Sequence, residues 1–126
     1  SPLFGDRLLF VAHGYVVAGI DMKKLFPGDM RAEEGILYVE LPPAEIFLAT
    51  LDNDKLYVYD CETGILKQGD VNLETLARQA AEDAIREAAL EDGILEQAQA
   101  NAEAYLYRLL RSLGFVDVIF IETKTE

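Results

Sequence analysis

Hydrophobic positions follow two different periods along the chain, and the change falls close to residue 70. Before it, short apolar runs rich in Val, Ile, Leu and Tyr are separated by Gly, Pro, Asp and Asn, which is the pattern of strands joined by turns. The runs span residues 8–12, 15–18, 30–32, 36–41, 45–51 and 56–59. Residues 1–71 are therefore predicted to form a strand-rich region.

Turn-forming residues predict how these strands connect. Gly14 indicates a bulge or bend between the first two runs, and residues 22–28 indicate a loop or a short helical turn. Gly35 predicts a hairpin between the third and fourth runs, and Asp52-Asn53-Asp54 predicts a second hairpin after the fifth. Most of the predicted pairing is therefore antiparallel.

From residue 72 onward the apolar residues recur every three or four positions, which indicates amphipathic helix. They are Leu73, Leu76, Ala77, Ala80, Ala81, Ala84, Ile85, Ala88, Ala89, Leu95, Ala98, Ala102, Leu106, Leu109, Leu110 and Leu113. Asn72 is the predicted N-cap. Gly114 is predicted to follow the helix with a positive φ. Residues 72–113 thus form the predicted helical region.

A single helix over residues 72–112 would be about 60 Å long, whereas a compact domain of this size is about 28 Å across. We therefore predict a break near Asp92-Gly93 and two helices, with one long kinked or continuous helix as the alternative. A continuous helix exposes more apolar stripe than a small sheet can bury, and so predicts a dimer or larger assembly. A broken helix allows a monomer that buries the stripe internally.

Apolar residues again dominate residues 115–122, near the end of the chain. This pattern predicts a final strand. The fold class is α+β: a mainly antiparallel sheet of five or six strands, two helices against one face, and a C-terminal strand. With 126 residues the chain is predicted to be a single domain.

The net charge of the chain argues against some classes of partner. The formal net charge is −12, from 11 basic and 23 acidic residues. Few basic residues are present to replace phosphate counterions, so nucleic acid and anionic lipid are not expected as main partners. No run approaches the roughly 20 apolar residues of a membrane span. The start lacks the pattern of a signal peptide and an initiator Met, which indicates a trimmed piece with any anchor upstream.

Nucleophilic catalysis requires a nucleophile within reach of a base, and candidates are few. His13 is the one histidine, and the two serines are Ser1 at the terminus and Ser112 at a predicted helix end. Cys61 lies between two acidic residues, whose charge raises the pKa of a thiol and suppresses the thiolate. We predict no catalytic residue and no cofactor site, and expect Cys61 to be dispensable.

Oxygen ligands are densest at Asp52, Asn53, Asp54, Asp60 and Glu62. A calcium loop of the EF-hand type requires a ligand at its fifth position and Gly at its sixth, where this chain has Leu56 and Tyr57. A hairpin turn accounts for the same residues, so no metal ligand is predicted. Weak calcium binding by residues 52–62 stays open, and so does an enzyme that uses paired carboxylates.

Four short motifs in order resemble a known family. They are Ala18-Gly19-Ile20-Asp21, Leu41-Pro42-Pro43-Ala44-Glu45-Ile46, Ala88-Ala89-Leu90-Glu91-Asp92-Gly93-Ile94-Leu95 and Leu113-Gly114-Phe115. Together they resemble a bacterial family catalogued as domain of unknown function forty-two thirty, from about Gly14 to Val118. A looser, fold-level likeness to band-7 or stomatin-like domains carries no function.

The resemblance implies a bacterial protein with an N-terminal membrane helix ahead of this domain, and it implies no known activity. Asp21 and Glu45 lie in the resembling motifs, but Asp21 is expected to cap the turn after its strand and Glu45 to cap or pair after the two prolines. Tyr105 and Tyr107 are typical of a core rim, as are Tyr57 and Tyr59.

We therefore expect a non-enzymatic soluble domain of a membrane-anchored protein, outside the cell or facing the periplasm, that acts through protein–protein contacts. A protein partner or a second copy is expected on the helical face, with the membrane touched only by the upstream anchor. The alternative is a small-molecule or Ca²⁺-binding domain that uses residues 52–62 or the groove between sheet and helices.

Overall fold

A computed structural model describes residues 14–51 and 71–122. The strands are β1 (Gly14–Gly19), β2 (Met30–Glu33), β3 (Ile36–Val39), β4 (Glu45–Leu51) and β5 (Asp117–Phe120), and the helices are α1 (Val71–Glu91) and α2 (Ile94–Ser112). Two short 3₁₀ turns, Met22–Lys24 and Pro27–Asp29, lie between β1 and β2. The α+β class, with two helices and a C-terminal strand, is confirmed.

The described strands form two sheets, which differs from the single sheet expected. One pairs β1 with β4, and the other has the order β2-β3-β5. In the second sheet β2 and β3 are antiparallel with Ala32 opposite Leu37, whereas β3 and β5 are parallel with Leu37 opposite Val118. A parallel pair requires a long crossover, and the connection from β3 to β5 contains α2.

The hairpin between β2 and β3 has a two-residue turn at the predicted glycine. Glu34 has φ 53° and Gly35 has φ 84°, so both central residues are left-handed, as in a type I′ turn. This turn matches the right-handed twist of the strands that it joins. The predicted hairpin is confirmed, with the additional finding that a glutamate adopts the left-handed conformation.

The predicted helix break is also confirmed. Helix α1 ends at Glu91, α2 begins at Ile94, and Gly93 between them has φ 84°. A left-handed residue cannot continue a right-handed helix, which explains why two helices form. At the other end of α2, Gly114 has φ 112° and its N–H donates to the carbonyl oxygen of Arg111 at 3.0 Å, as predicted for a C′ glycine.

The predicted start of the first helix lies at least two residues too late. Helix α1 includes Val71, so Asn72 lies inside the first turn and is not the N-cap. Asn is common at caps because its side chain competes for backbone hydrogen bonds, but it is also tolerated in the first turn, where the backbone N–H groups have no intrahelical acceptor.

The chain divides into two compact units, each with its own core. The first unit, Ser1–Val17 with Phe47–Asp92, buries Ala49, Leu51, Ala81 and Ile85, with Val16 packed against them. The second unit, Ala18–Ile46 with Gly93–Glu126, buries Leu37, Val39, Leu41 and Val118. The C-terminal half of α2 covers this second core through Leu106, Tyr107 and Leu110.

The helical stripe is less buried than expected for a broken helix. Of its members, Ala81 and Ile85 are buried, whereas Leu76 is 61% exposed and Leu113 is 69% exposed. Helix α2 has no fully buried residue. The expectation that two helices would use up the stripe internally is therefore wrong for the described residues, because each helix packs along a narrower face than its apolar pattern spans.

Candidate functional site

In the second unit, one residue from each of two motifs, Asp21 and Glu45, forms a hydrogen bond with Lys24. The ammonium Nζ of Lys24 donates to Oε2 of Glu45 at 2.8 Å. Asp21 caps the first 3₁₀ turn: its Oδ1 accepts the N–H of Lys23 at 3.0 Å, and its carbonyl oxygen accepts the N–H of Lys24 at 3.0 Å. The expected structural roles of Asp21 and Glu45, capping and pairing, are confirmed.

The electrostatics of this cluster do not favour acid–base or nucleophilic chemistry. The hydrogen bond that Lys24 donates to Glu45 and the charge of Glu45, followed by the charge of Asp21, raise the pKa of Lys24 above its ordinary 10.5. A lysine acts as a nucleophile or base when its pKa is lowered so that the neutral amine forms. Lys24 is shifted in the opposite direction and stays an ammonium ion, which suits it to pairing.

A second polar group ties the end of α2 to β5. The hydroxyl of Tyr107 donates to Oδ1 of Asp117 at 3.1 Å and accepts from Nη1 of Arg111 at 3.0 Å. Nε of Arg111 also donates to the carbonyl oxygen of Phe115 at 3.1 Å. Arg111 therefore holds the Leu113-Gly114-Phe115 motif against the helix from which it emerges. This network serves the fold of the turn.

Sequence analysis missed this network. Tyr107 and Arg111 are four residues apart and so face the same side of α2, which was a detectable signal. The sequence carried no such signal for Asp117. Its hydrogen bond with Tyr107 depends on the path of the chain after Gly114, which the local pattern does not determine.

The exposed side of α2 carries an unusual surface. Its exposed positions over residues 97–105 are Gln97, Ala100, Asn101, Ala104 and Tyr105, and we call these residues the uncharged face. Tyr105 is 60% exposed. Charged side chains border the face at its two ends: Glu96 before it and Arg108 after it, both exposed.

Helix α1 provides an internal comparison. Over residues 83–91 its exposed positions are Asp83, Arg86, Glu87 and Glu91 beside two alanines, whereas its earlier part exposes the uncharged Thr75, Leu76, Gln79 and Ala80. Residues 83–91 have the ordinary composition of a helix surface in water, where charged residues oppose the packed side. The uncharged face of α2 departs from the composition of residues 83–91, although the residues of both sets are exposed.

The remaining candidate residues fall in several places. The hydroxyl of Ser112 donates to the carbonyl oxygen of Leu109 and lies exposed at the end of α2. Tyr107 is part of a core rim as expected, whereas Tyr105 is exposed, so that expectation is wrong for Tyr105. Outside the described residues lie Ser1, His13, Tyr57, Tyr59, Cys61 and the acidic residues of the predicted 52–62 turn.

Across residues 14–51 and 71–122, no group of three or more His, Cys, Asp or Glu side chains is placed to hold a metal ion. The calcium alternative depends on residues outside these ranges and stays a prediction. Neither α1 nor α2 combines the length and the hydrophobicity that a bilayer crossing requires.

Comparison with known proteins identifies a family for the chain. No curated protein and no solved structure matches the chain. A family model described as "Protein of unknown function (DUF4230)" matches residues 1–120, nearly the whole sequence. The four motifs that indicated this family lie inside the matched range, and the chain accordingly belongs to the DUF4230 family.

Proposed function

We propose that this chain is a non-enzymatic protein-binding domain of a membrane-anchored bacterial protein, located outside the cell or facing the periplasm. The uncharged face of α2 is the observation that carries the protein-binding part. A helix surface without charge loses little by leaving water, because no ion has to be desolvated. Tyr105 at its edge is the kind of side chain that anchors protein interfaces.

The non-enzymatic part is supported by how the ionisable groups are placed. Among the described residues no polar or charged side chain is buried. Enzymes commonly hold such groups in enclosed positions, where desolvation and neighbours tune their pKa values. Here the ion pair between Lys24 and Glu45 is solvent-exposed on both sides, and it raises the lysine pKa.

Site-specific photo-crosslinking of the full-length protein in its own cells tests the protein-binding part. A benzophenone amino acid replaces Ala104 on the uncharged face and, as a matched control, the exposed Ala84 on α1. We expect a discrete protein adduct from position 104 and none from position 84. Equal adducts at both positions, or none at position 104, contradict the proposal.

The membrane part rests on the N-terminal helix that the family resemblance implies, and it has a separate test. We expect the full-length protein in the membrane fraction and, in intact cells or spheroplasts, cleavage of the domain by added protease. Recovery in the soluble fraction, or protection of the domain until the cytoplasm is opened, contradicts it.

A further inference from the structure

We infer that the uncharged face of α2 binds the same face of a second copy of the chain, with the two helices antiparallel. This inference rests on the proposed function and names its partner. The contact would centre on Ala104, with Gln97, Asn101 and Tyr105 around it, all exposed in one copy.

The net charge argues that the partner is a second copy. At −12 two copies repel each other over most of their surfaces. Helix α1, for example, exposes Asp83, Glu87 and Glu91. A basic partner would be drawn to such acidic surfaces, whereas an uncharged face offers it no attraction. The uncharged face is where two acidic chains can approach without this repulsion.

The chemistry of the face is also self-complementary. A two-fold contact places the same patch on both sides, so its groups must satisfy each other. The amides of Gln97 and Asn101 each donate and accept hydrogen bonds, so each can bond to a polar group of either kind that the other copy places opposite it. Ala100 and Ala104 lie four residues apart and leave room for two helix backbones to approach closely.

Charge complementarity favours an antiparallel direction of the two α2 helices. Glu96 lies in the first turn of α2, and Arg108 and Arg111 lie in the last turns. Antiparallel helices bring the acidic end of each beside the basic end of the other, and parallel helices bring like charges together. The helix dipoles favour the same arrangement. A crossing at Ala104 places Glu96 of each copy beside the last turns of the other helix, which carry Arg108 and Arg111.

The contact is expected to be weak. Helix α2 has 19 residues and is about 28 Å long. Two such helices bury less surface than a standard stable interface, and association must also overcome lost translational and rotational freedom. Dimers should therefore form in the upper micromolar range, and light scattering from about 10 µM to 1 mM covers the transition.

Cysteine crosslinking tests the contact directly. In the full chain carrying Cys61→Ser, a cysteine is introduced as Ala104→Cys or, as a matched control, as Ala84→Cys on α1. Both alanines are exposed and helical. We expect mild oxidation to give disulfide-linked dimers of Ala104→Cys and much less from Ala84→Cys. Equal yields, or a monomeric Ala104→Cys at 1 mM, overturn the inference.

Charge reversal tests the direction. Glu96→Lys and Arg108→Glu should each weaken the dimer about tenfold, and the double variant should recover most of the affinity because the opposite charges still meet. Circular dichroism checks that each variant keeps its helix content. Single variants that dimerise as tightly as the unchanged chain, or a double variant that dimerises more weakly than either single variant, overturn the antiparallel arrangement.

The outcome also separates this inference from the proposed function. A chain that is monomeric at 1 mM but gives a photo-adduct with a different protein at position 104 overturns the second copy and leaves protein binding standing. A monomer without any adduct overturns both.

Discussion

The hydroxyl of Tyr107 donates a hydrogen bond to Oδ1 of Asp117 over 3.1 Å, and this bond joins the last turns of α2 to the first residue of β5. The same carboxylate oxygen accepts the backbone N–H of Val118 at 2.9 Å. Asp117 thus fixes the entry of a strand whose next residue is buried in the core of the second unit. One carboxylate positions both the helix end and the strand.

Removing the Tyr107 hydroxyl should therefore destabilise the fold. Tyr107→Phe keeps the ring in the core and deletes its bonds to Asp117 and Arg111, and we expect a loss of about 1–3 kcal/mol in the free energy of unfolding, since both partners are charged. Chemical denaturation measures it. Tyr105→Phe is the control, because Tyr105 is exposed and should change stability by less than about 0.5 kcal/mol. Equal effects would show that the hydrogen bonds contribute nothing particular.

Gly14 is required by close contact between β1 and β4. A Cβ placed on Gly14 would lie 2.1 Å from the carbonyl oxygen of Thr50 and 2.9 Å from Cα of Leu51. These are backbone atoms of a paired strand and cannot move aside singly. We predict that Gly14→Ala lowers the free energy of unfolding by about 2 kcal/mol or more.

Gly28 provides the matched control for Gly14. A Cβ there would have no atom within 4 Å, and its φ is not in the left-handed range. Gly28→Ala should change stability by less than about 0.5 kcal/mol, or stabilise slightly by restricting the unfolded chain. The urea midpoints of Gly14→Ala and Gly28→Ala compare the stability of the two variants. A Gly14→Ala protein as stable as Gly28→Ala would mean that the strands do not approach as described.

The exposed pair of Lys24 and Glu45 makes a prediction about titration. Because Glu45 raises the pKa of Lys24, the ammonium should titrate above 10.5 in the folded protein, and Glu45→Gln should lower that pKa. A raised lysine pKa stabilises the fold below the unfolded value and ceases to do so as the pH rises through the folded value. The loss should therefore occur only in alkaline solution. NMR titration of the Lys24 side chain measures it, and an unchanged pKa in Glu45→Gln would contradict the pairing.

The sequence predicted the features that depend on one residue or one period. Gly35, Gly93 and Gly114 all adopt positive φ, and each marks a chain reversal or helix end that the hydrophobic pattern bounded. The pairing of strands could not be predicted in the same way. The hydrophobic pattern indicates that residues 36–39 form a strand, but it does not indicate that β5 pairs with them in parallel. That choice depends on the path through α2, which is a long-range property.

The candidate surface was missed for a different reason. The apolar period of residues 72–113 directs attention to the packed side of each helix, and the uncharged face lies on the other side. Gln97, Ala100, Asn101 and Ala104 are unremarkable in a hydrophobic pattern. They become informative only when the exposed positions of α2 are compared with those of residues 83–91 in α1, and this requires knowing which positions are exposed.

Glu34 gives a prediction in the opposite direction, towards higher stability. It has φ 53° beside Gly35 at φ 84°, so a glutamate occupies the first left-handed position of a type I′ turn. Asn tolerates that conformation better, and Asn-Gly is the preferred pair for this turn. We predict that Glu34→Asn raises the free energy of unfolding by about 0.5–1 kcal/mol.

The control for this gain is Glu34→Ala, which removes the same charge without easing the left-handed backbone. Ala should give no gain, because its Cβ meets the same steric resistance as that of glutamate. Urea midpoints at unchanged slope measure both variants. Equal stabilisation by Asn and Ala would assign the effect to the lost negative charge in a chain of net charge −12. A stabilisation specific to Asn would establish that the β2–β3 turn holds Glu34 in the left-handed conformation in solution.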